Sequence, residues 1–308
     1  MWDLGVPQYM GGKASDRLRA DRLSPFGHPK LLLAGACVTG MAVSAPVERL
    51  RDRLERAGYR AYYRATRLNY AVGVPTPKRT AAGRYWSYEL TNAHGDDPGL
   101  DALASLPDDA VVFDVGAHVG EYAVPLALQG RTVHAFEPNP HSADRLERNA
   151  RLNGAAVRLH RAGLGDADGH RRFYRSTYSK LSAFDRSGAT RWGASIAGVD
   201  RVPVRRLDSL VEDALGIDEP GRGGTDRADD HCADPGPLPP PDGLKIDVEG
   251  AELAVLEGAE RTIDRHRPLV VVEPHAGTPG VDPRPVRGWL HAQGYEVVER
   301  DDVWVCRP

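Results

Sequence analysis

Four side chains able to move a proton or hold a cation recur in one spacing. Asp247 and Glu249 stand two residues apart just past the segment Leu244-Lys245-Ile246, and Glu273 and His275 repeat that interval after the apolar run at 269–272. Alcohols must shed a proton when they react, which calls for a general base or a metal ion. Together the four predict a cluster that deprotonates a hydroxyl, with Asp247 as the base or as a ligand of a base-activating cation. A set dominated by oxygen donors favours Mg²⁺ or Mn²⁺ over zinc. The competing structural roles are a helix cap for Glu249 and an ordinary loop position for His275.

A second group belongs to a ligand-binding turn. Asp114, Gly116, His118, Gly120 and Glu121 fall within one strand-to-helix segment, where glycines let the backbone turn sharply. His118 occupies the place of the second glycine of a dinucleotide G-x-G-x-x-G, and the third-glycine register is absent, which weakens a pyrophosphate reading. A carboxylate at Asp114 suits a cationic ligand, and S-adenosylmethionine carries an ammonium and a sulfonium. Glu137, 23 residues beyond Asp114, has the spacing of an acid that accepts from ribose hydroxyls. Asp166 follows the third strand, where it could reach an adenine amino group. Three acids at the ends of three successive strands predict one crevice.

The elements that must position these groups alternate. Strands are predicted over 111–115, 132–137, 157–162, 244–248 and 269–273, and helices over 121–129, 141–152, 207–215, 251–263 and 285–293. Short β segments are expected at 171–175 and 202–206, flanking a polar loop with Ser176, Lys180 and Ser182. A turn at 300–302 separates two antiparallel strands. The fold class is therefore α/β, a doubly wound sheet of the class I methyltransferase (Rossmann-like) kind, mostly parallel with a C-terminal antiparallel hairpin.

The flanks read differently. Residues 1–45 are expected to be disordered or an over-extended start, since Met41 offers a second initiation point; 46–105 form a helical appendage, and 106–308 the catalytic domain with a disordered insertion at 213–243. Residues 46–58 carry an apolar stripe of Val47, Leu50, Leu54 and Ala57 and many arginines, which suits either a solvated helix packed on the core or peripheral membrane contact through 46–68. The apolar run at 31–43 is short of the ~20 residues of a spanning helix, and its leader is too mixed in sign for a secretory signal, so a cytoplasmic protein is expected. Three dispersed cysteines exclude a disulfide framework and a Cys-rich zinc site. A net charge of −3 and an acidic insertion argue against a nucleic-acid partner. Only five of the 40 cationic residues are lysines.

The segments DVGAHVGEY, FEPNP, AGLGD and above all KIDVEGAE, with 149–154 and the stretch from Arg267 to His275, resemble the FkbM family of S-adenosylmethionine-dependent methyltransferases. The resemblance covers roughly residues 110–277. It implies O-methylation of a hydroxyl on a glycan or small polar metabolite, and a Ser-rich loop closing over the methionine end of the cofactor or over the acceptor. The alternatives are a non-catalytic S-adenosylmethionine-binding scaffold in surface-glycan assembly and an NAD-dependent oxidoreductase.

Overall fold

The computed structural model describes residues 45–215, 238–275 and 281–308. The expectations for residues 1–44 and for 216–237 of the insertion lie outside the described residues. The described edges of that insertion belong to the fold: residues 213–215 complete a helix, and Leu238 is buried with its N–H donated to Leu210.

The described chain starts with α1 (Ala45–Val72), a hairpin of β1 (Thr76–Thr80) and β2 (Gly83–Ser87), and α2 (Pro98–Ala104). The 46–105 segment is thus not purely helical. Its helix also runs past Gly58, where the apolar stripe ends, because later turns are tied to the body. Thr66 and Tyr70 are buried, the Tyr62 hydroxyl bonds Glu89 and Thr91, and Asn69 Nδ2 donates to the carbonyls of Val74 and Tyr88. Packing outweighs the ~1 kcal/mol that a mid-helix glycine costs. Leu54, expected in the packed stripe, is 56% exposed, so the tyrosines anchor this helix instead. Arg53, Arg56, Arg60, Arg64 and Arg67 face solvent. No helix among the described residues is long and apolar enough to cross a membrane.

The body is built on β3 (Val111–Val115), α3 (Ala123–Leu128), β4 (Thr132–Phe136), α4 (Pro140–Asn153) and β5 (Val157–His160). Then come β6 (Gly163–Leu164), β7 (Gly169–Ser176), α5 (Arg186–Ala189), β8 (Ile196–Arg205), α6 (Leu207–Leu215) and β9 (Gly243–Ile246). The chain continues through α7 (Glu252–Glu257), α8 (Glu260–His266), β10 (Leu269–Val272), α9 (Arg284–Ala292), β11 (Glu296–Arg300) and β12 (Val303–Arg307). Seven strands form the main sheet in the order β11-β12-β10-β9-β3-β4-β5, and only β12 runs against the others. This is the class I methyltransferase arrangement expected from the alternation. The residues of β3, β9 and β10 are largely buried on both faces because helices cover both sides, and Asp114 and Lys245 are the buried charges among them.

Two details depart from expectation. The predicted third strand divides: β5 stays in the main sheet, while β6 joins β8 and β7 in a separate three-stranded sheet. The helix expected over 251–263 is broken into α7 and α8 at Gly258, whose Cα lies so close to the Gly165 carbonyl that a Cβ would sit 1.9 Å from its oxygen. That contact packs the α7–α8 junction against the end of β6.

On the β4–β5 flank, His134 Nδ1 lies 2.9 Å from His160 Nε2 with the rings stacked. Burial is the main cause holding both imidazoles down to about 4. Their neutral forms are favoured in the fold, so this stability is complete above the ordinary pKa of 6.5 and is lost as pH falls through about 4. The melting temperature is expected to drop across that window, and less steeply in His160→Asn. A pH-independent melt between 6.5 and 4 contradicts this.

Candidate active site

The strand order reverses between β9, β3 and β4, so the crevice at their carboxyl ends is where ligands bind in such sheets. Asp114 lies at its floor with no exposure. Its Oδ2 accepts from the Ala123 N–H at 3.1 Å and its Oδ1 stands 3.2 Å from Lys245 Nζ. The cation this carboxylate meets is therefore an internal lysine rather than a ligand. Lys245 also donates to the Gly116 carbonyl at 3.2 Å and lies 3.3 Å from Asp247 Oδ2, joining the ends of β3 and β9. Gly116 has φ +79°, and a Cβ there would sit 1.8 Å from the Asp247 carbonyl oxygen, so its close backbone approach is to Asp247.

His118, at the second-glycine position, adopts φ +49°. Its N–H donates to Glu137 Oε2 at 2.7 Å and its Nε2 lies 2.9 Å from Ser179 Oγ in the Ser-rich loop. Gly120 turns the chain at φ +88° into α3. Glu137 ends β4, is 5% exposed, and accepts the Asn139 N–H on its other oxygen. Burial pushes its carboxyl up to about 8, partly offset by those two amides. Asp166 is placed otherwise. Because β6 leaves the main sheet, this residue does not end a strand of that sheet; its side chain is 55% exposed, 3.9 Å from Arg171 Nη1. Glu137 and Asp114 thus line the crevice together, and among the described residues Asp166 has no direct contact with either.

The four proton-handling groups do come together. Asp247 follows β9 and Glu273 follows the neighbouring β10, each main-chain N–H extending the ladder to Val115 and Ile246. His275 Nε2 stands 3.5 Å from both Asp247 Oδ1 and Glu249 Oε1, while its Nδ1 lies 2.9 Å from Glu252 Oε1. Glu249 and His275 both adopt left-handed backbone, φ +55° and +48°, a cost that only surrounding contacts sustain. Glu249 is not a helix cap: it pairs with Arg191.

The charges differ sharply among them. Burial raises the Asp247 carboxyl, but Lys245 and His275 outweigh it and hold it below the usual carboxylate range. Burial opposes the charge on His275, yet Glu249 and Glu252 lift its pKa well above that of free imidazole. Glu273 stands apart. Burial, with the Asp247 charge beside it, raises its carboxyl to about 7, and among the described residues it makes no hydrogen bond or ion pair. One atom each from Asp247, Glu249 and His275 lies within 4.8 Å of the others, and the Nδ1 contact with Glu252 is the outer support typical of a metal-bound histidine.

Several residues of this site were given no role from the sequence, although Lys245 opens KIDVEGAE and Lys180 lies in the Ser-rich loop. Lys245, Lys180, His94, Asp97, Tyr122 and Arg191 all contact predicted site residues or their partners. One signal was available in composition: three of the five lysines in this arginine-rich chain, Lys78, Lys180 and Lys245, sit in or beside the buried charge clusters. A compact ammonium fits where a planar guanidinium does not.

The methyltransferase FkbM domain matches residues 114–221 and 227–297, more than half of the chain. The chain belongs to this methyltransferase family. Within it, the hexuronic acid methyltransferase AglP of Haloferax volcanii is 31% identical over 185 residues, 60% of this chain and 62% of that protein. The 31-O-demethyl-FK506 methyltransferase FkbM of Streptomyces tacrolimicus is 31% identical over 206 residues, 62% of this chain and 75% of the relative. A crystal structure of a methyltransferase FkbM from Methylobacillus flagellatus aligns with 75% of this chain and 48% of that one, at 19% identity and a TM-score of 0.40. The chain thus spans less than two thirds of the length of AglP. The site residues from Asp114 to His275 all lie within the matched segments, whereas His94 and Asp97 lie before them.

Proposed function

We propose that this chain is an S-adenosylmethionine-dependent O-methyltransferase acting on a hydroxyl of a glycan or small polar metabolite. The observation that carries the reading is the placement of Glu273 beside Asp247 at the ends of neighbouring parallel strands, at the switch point of the sheet, where burial and the Asp247 charge raise the Glu273 carboxyl to about 7. Two relatives named for their acceptors, a hexuronic acid methyltransferase and a 31-O-demethyl-FK506 methyltransferase, support the acceptor class.

The residues present fit the cofactor. Glu137 retains lone pairs for a ribose diol beside its two amides, and Glu121 with its cations suits a zwitterion. The Glu121 carboxylate, held ionised by Lys180 and His94, stands in the turn where a dinucleotide would place its pyrophosphate, which disfavours the oxidoreductase alternative. When bound, the cofactor supplies a methyl group on an electrophilic sulfonium. Glu273 would take the proton of the acceptor hydroxyl as the hydroxyl oxygen bonds the methyl carbon and the carbon–sulfur bond breaks, leaving the neutral thioether S-adenosylhomocysteine. A base with a pKa near the working pH combines availability with driving force. Asp247, the base expected from the sequence, acts here through its charge, which raises Glu273 and keeps Lys245 and His275 in place.

A second reading is favoured by the grouping of Asp247, Glu249 and His275, which could hold a divalent cation of the Mg²⁺ class and lower the pKa of the acceptor hydroxyl.

Calorimetry tests the cofactor. The protein is expected to bind S-adenosylhomocysteine, and Glu137→Ala to weaken binding about 2- to 10-fold at neutral pH, the loss of a hydrogen bond from a carboxyl lifted to about 8. Tight NAD binding without S-adenosylhomocysteine binding sinks the reading.

A further inference from the structure

Charged groups outside the Asp247 cluster converge on one oxygen. Glu121 Oε2 lies 3.0 Å from Lys180 Nζ, 3.5 Å from His94 Nε2 and 3.8 Å from His118 Nδ1. All four side chains are largely buried, and among the described residues His118 Nδ1 has no hydrogen-bond partner. They come from three segments: the loop before α2, the Gly-containing turn and the Ser-rich loop.

His94 is held rigidly. Its Nδ1 lies 2.6 Å from Asp97 Oδ2, and Asp97 Oδ1 accepts from the Tyr122 hydroxyl and the N–H groups of Gly99 and Leu100. Burial opposes a charge on the ring, but Glu121 and Asp97 raise it to about 9. Lys180 is likewise desolvated, and Glu121 more than restores its charge. Burial pushes Glu121 upward, but Lys180 and His94 hold it well below the usual range. At neutral pH the row is cation, carboxylate, cation.

Its place along the crevice follows from His118. The backbone of that residue bonds Glu137, while its ring faces Glu121, so His118 separates a ribose-binding carboxylate from this row. The charges of His94 and Lys180 also act on Glu273 and Asp247, respectively. A ligand reaching from Glu137 past the proton acceptor therefore meets the row with its far end. A simple anion would be repelled by Glu121 and a simple cation by its partners. An α-amino acid end, with one ammonium and one carboxylate, complements both.

We propose that Lys180 and His94 bind the α-carboxylate of the cofactor's methionyl end and Glu121 its α-ammonium. This rests on the S-adenosylmethionine reading. The Lys180–Glu121 ion pair then stands in for the ligand's own charges, and the loop before α2, outside the family-matched segment, completes the cofactor site. Retention of a lysine at 180 in a chain that otherwise uses arginine agrees with a pocket sized for an ammonium.

The test compares two ligands on the full chain by calorimetry: S-adenosylhomocysteine, and 5′-methylthioadenosine, which keeps the adenosine and sulfur but lacks the amino-acid end. Wild type is expected to bind the former at least about tenfold more tightly. Lys180→Met and His94→Gln should each lose most of that preference while binding 5′-methylthioadenosine as wild type does, which also shows that they fold. Equal affinities in wild type, or a preference that survives in both variants, overturns the proposal and leaves the cofactor reading standing. Binding of neither ligand to wild type overturns both. A loss in the variants confined to acceptor KM assigns the cations to the acceptor and also overturns it.

Discussion

Glu273→Gln is expected to lower kcat by at least about a hundredfold, within the ~10²–10⁴ typical of a general base, with S-adenosylhomocysteine affinity little changed. Wild-type kcat should fall on the acid side of about pH 7 as Glu273 is protonated. The companion variant decides which carboxylate is the base. The Asp247 charge raises the Glu273 carboxyl, so Asp247→Asn should shift the acid limb to lower pH while turnover persists. If instead Asp247→Asn abolishes turnover and Glu273→Gln spares it, the proton goes to Asp247. A chelator added to wild type tests the cation: inhibition relieved by Mg²⁺ assigns Asp247, Glu249 and His275 as its ligands, whereas indifference leaves the His275 imidazolium as their counterion.

Gly116→Ala is expected to destabilise the fold by about 2–5 kcal/mol, combining left-handed backbone strain with overpacking. The added carbon would sit 1.8 Å from the Asp247 carbonyl oxygen at φ +79°, and backbone there cannot yield without parting β3 from β9. Gly154→Ala is the control: φ is +65°, but nothing lies within 4 Å, so only the strain of roughly 1–2 kcal/mol remains. Denaturant midpoints measure both, and equal losses would show that the contact with Asp247 is unimportant.

The alternation of short, mostly apolar segments with helical periodicity was enough for the sheet, because strands buried on both faces are dominated by apolar residues even where Asp114 and Lys245 interrupt them. The same runs located Asp247 and Glu273, since a residue just past a parallel strand must emerge at its carboxyl end. His275 and Glu249 followed from their two-residue offset. The division of the third strand was not legible: β6 is two residues long, and its partner β8 begins 33 residues later. Pairing at that separation is chosen by packing rather than by local pattern.

The sequence by itself therefore determined the fold class, the crevice and the presence of four proton-handling groups within it. Tertiary structure decided what each group does. Asp114 and Lys245 are 131 residues apart, and their ion pair turns an expected ligand contact into an internal one. Asp247 and Glu273 are both carboxylates past a strand, yet Lys245 holds one ionised while burial leaves the other half-protonated near neutrality. Asp166 kept the expected spacing but lost the expected place, because its strand joined another sheet. His94 and Lys180 reach Glu121 from segments with no shared motif. The physical reason is common to all of these: the charge state of a buried group is set by desolvation and by charges within a few ångströms, and only folding determines those neighbours.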